Sequence, residues 1–160
     1  MDIFDAAIKR EEEGSLYYLD LSGKATAQGI KTIFSTMADE EKKHGEIIAR
    51  LKAGDGAFDA HESNISDLLR AFLKNTKDAV KAFNYDIANI PLYRKAQEME
   101  MQERNFYNDL VEKADEHTRQ ALLYLAGEEV KHYDYLERLV HALRRPPQWG
   151  TDMGLGLMDF

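Results

Sequence analysis

The sequence predicts an all-α protein, an antiparallel four-helix bundle with a long crossover that contains an additional helix. Apolar residues recur at helical spacing over four long segments, about 2–22, 26–53, 89–113 and 116–144. Gly, Pro, Asn or Asp residues lie near the segment ends, where they commonly begin or stop helices. The patterns of the first two segments return in the last two, so the chain is two copies of one two-helix unit.

The first two helices make up the first unit. Asp2 or Asp5 can cap the start of the first helix, and Ser22-Gly23 is its expected stop. The short connection that follows predicts antiparallel neighbours. Gly14 lies inside the first helix, where Gly costs about 1 kcal/mol relative to Ala. This indicates a close helix approach or space for a ligand at that level.

A polar loop and a shorter helix separate the two units. The loop covers about 54–65, and Asn64 or Ser66 can cap one amphipathic helix over about 66–84. This helix has no candidate ligand, and we expect it to carry the chain back along the bundle. The second unit can then run antiparallel to the first. Pro91 starts the third main helix, because a first turn tolerates the missing N–H.

The 160 residues fit one domain. We expect the bundle over residues 1–145 and a C-terminal tail over 146–160. The tail is Gly-rich but ends in apolar residues, so it packs on a partner subunit or folds back onto the bundle.

Composition excludes several classes of protein. The formal charge of −8 argues against a nucleic-acid partner, since phosphate binding requires a basic surface. No apolar run is long enough for a membrane span, and no signal peptide is evident. The sequence has no Cys, which removes disulfides, thiolate zinc and iron–sulfur clusters and fits a reducing compartment. We therefore expect a cytoplasmic protein.

Carboxylates and imidazoles interrupt the apolar stripes at matching positions. The second helix carries Glu41 and His44 one turn apart, and the fourth carries Glu129 and His132 at the same positions of its own stripe. No other His has a Glu three residues before it. One such pair alone could be a partnered polar group in the core. The repetition favours a metal site, because residues i and i+3 point the same way on a helix.

The first and third helices add one carboxylate each, Glu11 and Glu100. A buried carboxylate needs a cation or many hydrogen bonds. Four Glu charges match two divalent ions, and a donor set of carboxylate and imidazole suits iron or manganese, with zinc as a possible substitute. Tyr18 and Tyr107, two turns from Glu11 and Glu100, are placed to hydrogen-bond such carboxylates, although they could be plain core aromatics.

These residues together resemble the ferritin-like di-iron fold and, within it, the rubrerythrin family. The resemblance covers about residues 3–144, and the narrower assignment depends on Glu103, one turn after Glu100. It implies that Glu41 and Glu129 bridge two iron ions, that Glu11 and Glu100 are terminal ligands, and that each His caps one iron. It also implies peroxide reduction or oxidase activity.

Glu103 lies at the position of the third helix that is equivalent to Gly14 in the first helix. Four Glu already balance two ferrous ions, whereas oxidation adds two positive charges and makes Glu103 an attractive ligand. We predict that Glu103 binds iron in the oxidised state and releases it on reduction, as the resemblance implies; alternatively it stays bound or points to solvent. Glu103, Tyr18 and Tyr107 are the candidate catalytic residues.

The chain departs from the family in one respect. Typical rubrerythrins append a rubredoxin domain with four Cys, and these 160 residues have none. We therefore expect an external donor such as a rubredoxin, hydrogen peroxide or dioxygen as the oxidant, and a homodimer. The alternatives are a ferritin-like protein that oxidises and stores iron in a closed shell, and a bundle whose metal is only structural.

Overall fold

The computed structural model describes residues 2–145, and every regular element within that range is helical. The predicted all-α, ferritin-like bundle is confirmed. Six α-helices and one short 3₁₀ turn follow one another within the described residues. They are α1 (Ile3–Lys24), α2 (Gln28–Lys52), α3 (Ile65–Lys74), α4 (Thr76–Tyr85), the 3₁₀ turn Asp86–Asn89, α5 (Ile90–Val111) and α6 (Glu116–Leu143). The predicted tail lies outside the described residues.

Helix α1 begins where one of the two candidate caps predicted it. The Asp2 carboxylate accepts a hydrogen bond from the Asp5 N–H at 2.8 Å. The helix continues to Lys24, one or two residues past the predicted stop at Ser22-Gly23, which is within the one or two residues by which helix ends vary. Its last bonds run from the Ala25 N–H to the carbonyls of the preceding turn. A Gly within a helix need not end it when the following residues keep these bonds.

The start of α2 is held by two aspartates from the crossover. Ala27 precedes this helix and has no side chain that could cap it. The Asp86 carboxylate accepts from the N–H groups of Thr26 and Ala27 at 2.6 and 2.9 Å. Asp78 accepts from the next two N–H groups at 3.0 and 2.7 Å. The crossover thus supplies the acceptors that the first turn lacks and sets the position of α2.

The crossover contains two short helices where the sequence predicted one over 66–84. The break falls at Asn75, which ends α3 and begins α4. The Asn75 side chain accepts from the Asp78 N–H at 3.1 Å. A short polar side chain that bonds to nearby backbone competes with the helix, which explains the break.

Helices α1 and α5 pack antiparallel, so the second unit runs antiparallel to the first, as predicted. Tyr107, near the end of α5, donates a hydrogen bond to Glu11, near the start of α1. Tyr17, near the end of α1, donates to the carbonyl of Leu92, near the start of α5, at 2.8 Å. Helices α1 and α5 therefore run in opposite directions. No helix within residues 2–145 has the length and apolar character to cross a bilayer.

The apolar core is divided into two clusters along the bundle. One cluster contains Phe34, Met37 and Leu136, together with residues of the crossover. The other contains Ile48 and Leu125 and lies towards the opposite end of the long helices. A layer of buried carboxylates and imidazoles separates them. Such a layer inside a core requires charge compensation.

Candidate metal centre

Six buried polar side chains meet in this layer, none more than 3% exposed. They are Glu11 from α1, Glu41 and His44 from α2, Glu100 from α5, and Glu129 and His132 from α6. They form two overlapping groups, and in each group the ligand atoms all lie within 4.8 Å of one another. Glu41 and Glu129 belong to both groups.

The two groups have matching composition. In one, His44 Nδ1 lies 3.5 Å from Glu11 Oε2 and 3.3 Å from Glu129 Oε1. In the other, His132 Nδ1 lies 2.8 Å from Glu41 Oε1 and 3.3 Å from Glu100 Oε1. Each group thus has one Glu and one His of its own and shares two carboxylates. This is the arrangement of two adjacent cation sites with common bridging ligands.

Many of the candidate ligand atoms have no hydrogen-bond partner within the described part of the chain. They are Oε2 of Glu11, Oε1 of Glu41, both ring nitrogens of His44, Oε2 of Glu100, both oxygens of Glu129 and Nδ1 of His132. Buried polar atoms are normally paired, so a whole cluster of unpaired ones indicates missing partners. Metal ions would satisfy them, and the cluster therefore fits a di-metal site.

The electrostatics agree with this conclusion. Burial, together with repulsion from Glu11 and Glu100, raises the pKa of Glu41 well above its ordinary value. Burial likewise raises the pKa of Glu129, and the charge on Glu41 adds to it. Burial acts in the same direction on Glu11, yet its contacts with His44 keep the pKa of Glu11 below its ordinary value. The cluster holds four carboxylates against two imidazoles, and two divalent ions would supply the positive charge that balances them.

The two predicted tyrosines hydrogen-bond to carboxylates of the cluster, and each bond crosses between helices. Tyr18 on α1 donates to Glu100 on α5, and Tyr107 on α5 donates to Glu11 on α1. Burial raises the pKa of both hydroxyls well above the ordinary value. Both therefore remain protonated donors and orient the two carboxylates that belong to one group each.

Gly14 leaves room for a carboxylate of the cluster. A Cβ at this position would lie 2.8 Å from Glu41 Oε2, too close for any side chain unless Glu41 moves. A cavity of about 10 Å³, close to the volume that one water needs, lies beside Gly14 and Glu41. It is also lined by Tyr18, Glu100 and Glu103. Gly14 therefore gives the space that the sequence indicated.

Glu103 is not a member of either ligand group. Its Oε1 accepts a hydrogen bond from Arg10 Nε at 2.8 Å, and its Oε2 is buried without a hydrogen-bond partner among residues 2–145. Burial raises the pKa of Glu103 to about 7, although the nearby Arg10 charge opposes this. Glu103 lines the small cavity together with Glu41 and Glu100, so it lies next to the cluster rather than in it.

Sequence reasoning missed Glu40. This residue is 2% exposed, and its Oε2 lies 2.7 Å from His132 Nε2, the ring nitrogen opposite the cluster. Such a carboxylate fixes the ring and its tautomer. The signal in the sequence was the doublet Glu40-Glu41, which returns as Glu128-Glu129. Glu128 is equally buried but pairs with a surface Lys, so the two units differ here.

Comparison with known proteins gives one match. The sequence model of the family described as rubrerythrin matches residues 2–82, about half of the chain. No curated protein and no solved structure gives a significant match. The matched part contains α1, α2 and most of the crossover, and hence Glu11, Glu41 and His44.

Proposed function

The chain belongs to the rubrerythrin family, and from this premise we propose that it is a di-iron oxidoreductase. It reduces hydrogen peroxide or dioxygen with electrons from an external donor such as a rubredoxin. The observation that carries the proposal is the buried cluster of four Glu and two His, many of whose ligand atoms have no hydrogen-bond partner among residues 2–145. A homodimer and a cytoplasmic location, both expected from the sequence, are part of the proposal.

The proposed ligand set follows the two groups. Glu41 and Glu129 bridge the metals, Glu11 and His44 complete one site, and Glu100 and His132 complete the other. Carboxylate and imidazole donors without sulfur favour iron or manganese, and zinc can replace them in vitro. The four carboxylate charges balance two divalent ions, so the loaded core is close to neutral.

Reduction of hydrogen peroxide to two water molecules takes two electrons and two protons. Two bound ferrous ions would supply the electrons, solvent the protons, and the external donor would restore the electrons. The protein residues prepare the site for this chemistry. Tyr18 and Tyr107 hold Glu100 and Glu11 in place. The narrow cavity beside Gly14 has room for about one water molecule. This favours a small oxidant over an organic one.

The role proposed for Glu103 is to bind the oxidised centre and to release it on reduction. Its position beside the cluster supports this role, because it lines the same small cavity as Glu41 and Glu100 while it is paired with Arg10. We expect Glu103→Ala to retain two irons and to react more slowly with peroxide. Wild-type kinetics in that variant would refute the role.

Iron reconstitution followed by metal analysis tests the centre, and rapid mixing of the ferrous protein with peroxide tests the activity. We expect two irons per chain, loss of both when Glu41 and Glu129 are replaced by Ala, and rapid oxidation by peroxide. A stoichiometry near zero in the wild type would reject the centre. Two bound irons that do not react with peroxide or dioxygen would leave only a structural metal.

The native mass separates this proposal from iron storage. An oxidoreductase of this kind requires only a dimer or a small oligomer, whereas mineral storage requires a closed shell of many subunits. Size exclusion with light scattering measures the difference directly. A cage that takes up many irons per chain would favour storage.

A further inference from the structure

Arg10 joins α1 to α5 at the edge of the candidate centre. Its Nε donates to Glu103 Oε1 at 2.8 Å, and its guanidinium carbon lies 4.6 Å from the centre of the Phe106 ring. The Arg10 side chain is 35% exposed and that of Glu103 is 14% exposed. A charge-assisted hydrogen bond with a cation–π contact fixes the guanidinium at this point.

The same two residues line the cavity next to the candidate ligands. Arg10 and Glu103 meet there with Gly14, Glu41 and Glu100. The Glu103 carboxylate therefore touches Arg10 and faces the same cavity as Glu41 and Glu100, two of the candidate ligands. It is paired with Arg10 in the structure. Binding to a metal ion would require the carboxylate to turn away from Arg10, so the ion pair and the metal contact compete with each other.

We propose that Arg10 is a positioning residue that competes with the metal centre for the Glu103 carboxylate and so sets how readily Glu103 becomes a ligand. This inference rests on the proposed function, because it requires metal in the cluster. Phe106 assists by keeping the guanidinium in place. Arg10 itself belongs to neither ligand group.

The competition has a measurable consequence for metal binding. Glu103 is paired with Arg10 in the structure, so we expect the release of Glu103 from a divalent centre to depend on Arg10. Without Arg10 the released carboxylate loses that partner, and it should remain on a divalent ion as an additional ligand. If Arg10 only tied α1 to α5, its loss would lower stability and leave the ligand set unchanged. Metal affinity and the number of ligands around the ion therefore distinguish a positioning role from a structural one.

Co(II) is a suitable probe, because it is stable in air and the intensity of its visible absorption depends on coordination number. The apo protein is titrated with Co(II), and the variants are Arg10→Met, Arg10→Lys, Glu103→Gln and the double variant. We expect Arg10→Met to tighten Co(II) binding about three- to tenfold and to weaken the visible bands, as a higher coordination number does. Arg10→Lys keeps the charge and should stay close to wild type.

Lys9→Met is the matched control. Lys9 is the preceding residue on α1, carries the same charge and has a 62% exposed side chain paired only weakly with Glu13 at 4.0 Å. Its loss should change Co(II) affinity by less than about twofold, because surface charges are screened. Phe106→Leu removes the ring contact but not the ion pair and should give an intermediate effect. Phe106→Leu and Arg10→Lys also provide the comparison if Arg10→Met does not fold.

The effect of Arg10→Met in the Glu103→Gln variant tests whether Arg10 acts through the Glu103 carboxylate. In that background Arg10→Met should have no effect beyond that of Lys9→Met. The proposal is wrong if Arg10→Met resembles Lys9→Met in the wild-type background, or if its effect persists without the Glu103 carboxylate. A wild-type protein that binds no Co(II) and no iron would instead reject the proposed function. The two failures are therefore distinguishable.

Discussion

Replacement of Gly14 by Ala should weaken metal binding while leaving the fold intact. The added Cβ would lie 2.8 Å from Glu41 Oε2, and ordinary contacts begin at 3.4 Å, so the carboxylate must retreat by roughly 0.6 Å. Metal–ligand distances tolerate deviations of only about 0.2 Å. Glu41 is shared by both ligand groups, so both sites lose a well-placed oxygen.

The substitution should lower the metal affinity and raise the stability of the apo protein. We expect metal affinity to fall by at least about tenfold, the scale on which disturbed ligands act. The apo protein should gain up to about 1 kcal/mol, because Ala favours a helix over Gly and the Glu41 side chain can turn aside when no metal holds it. Metal titration and thermal unfolding of the apo protein measure the two effects.

Gly127→Ala is the control for this substitution. Gly127 also lies inside a long helix, and a Cβ there would meet nothing within 4 Å among the described residues. It should give the same gain in helix stability and no change in metal affinity. The reasoning is refuted if Gly14→Ala binds two metal ions as tightly as the wild type, or if Gly127→Ala weakens binding to the same extent.

Three further predictions concern the same cluster. Because burial raises the pKa of Glu41 and Glu129, the folded apo protein holds protons that the unfolded chain releases above its ordinary carboxyl pKa of 4.5. Its unfolding free energy should therefore fall as the pH rises above about 4.5, and bound metal should remove that fall; denaturant titrations with no such fall in the apo protein would contradict this. Tyr18→Phe removes the hydrogen bond to Glu100 and should weaken metal binding about ten- to a hundredfold without loss of fold, as titration and circular dichroism would show. Glu40→Gln, which loses the carboxylate beside His132, should weaken binding on a similar scale. Unchanged metal affinity in either variant would show that these contacts do not orient the ligands.

The sequence by itself determined which residues belong to the cluster. In an α-helix, residues three or four positions apart share a face, so Glu41 and His44 had to point the same way from α2. The repeated spacing placed Glu129 and His132 at the equivalent level of α6. The stripe with Gly14 likewise indicated the helix level at which space was needed. Periodicity within one helix is a local property and can be obtained without any tertiary contact.

Contacts between helices were decided only by the tertiary structure. The pairing of Tyr18 with Glu100, of Glu40 with His132 and of Arg10 with Glu103 joins residues 82, 92 and 93 positions apart. The capping of α2 by Asp78 and Asp86 spans 49 to 60 positions. These pairs depend on how far each helix rotates and how closely it approaches its neighbours. Packing of the whole core sets the rotation of each helix and its distance from its neighbours. The residue spacing along a single helix gives no information on either.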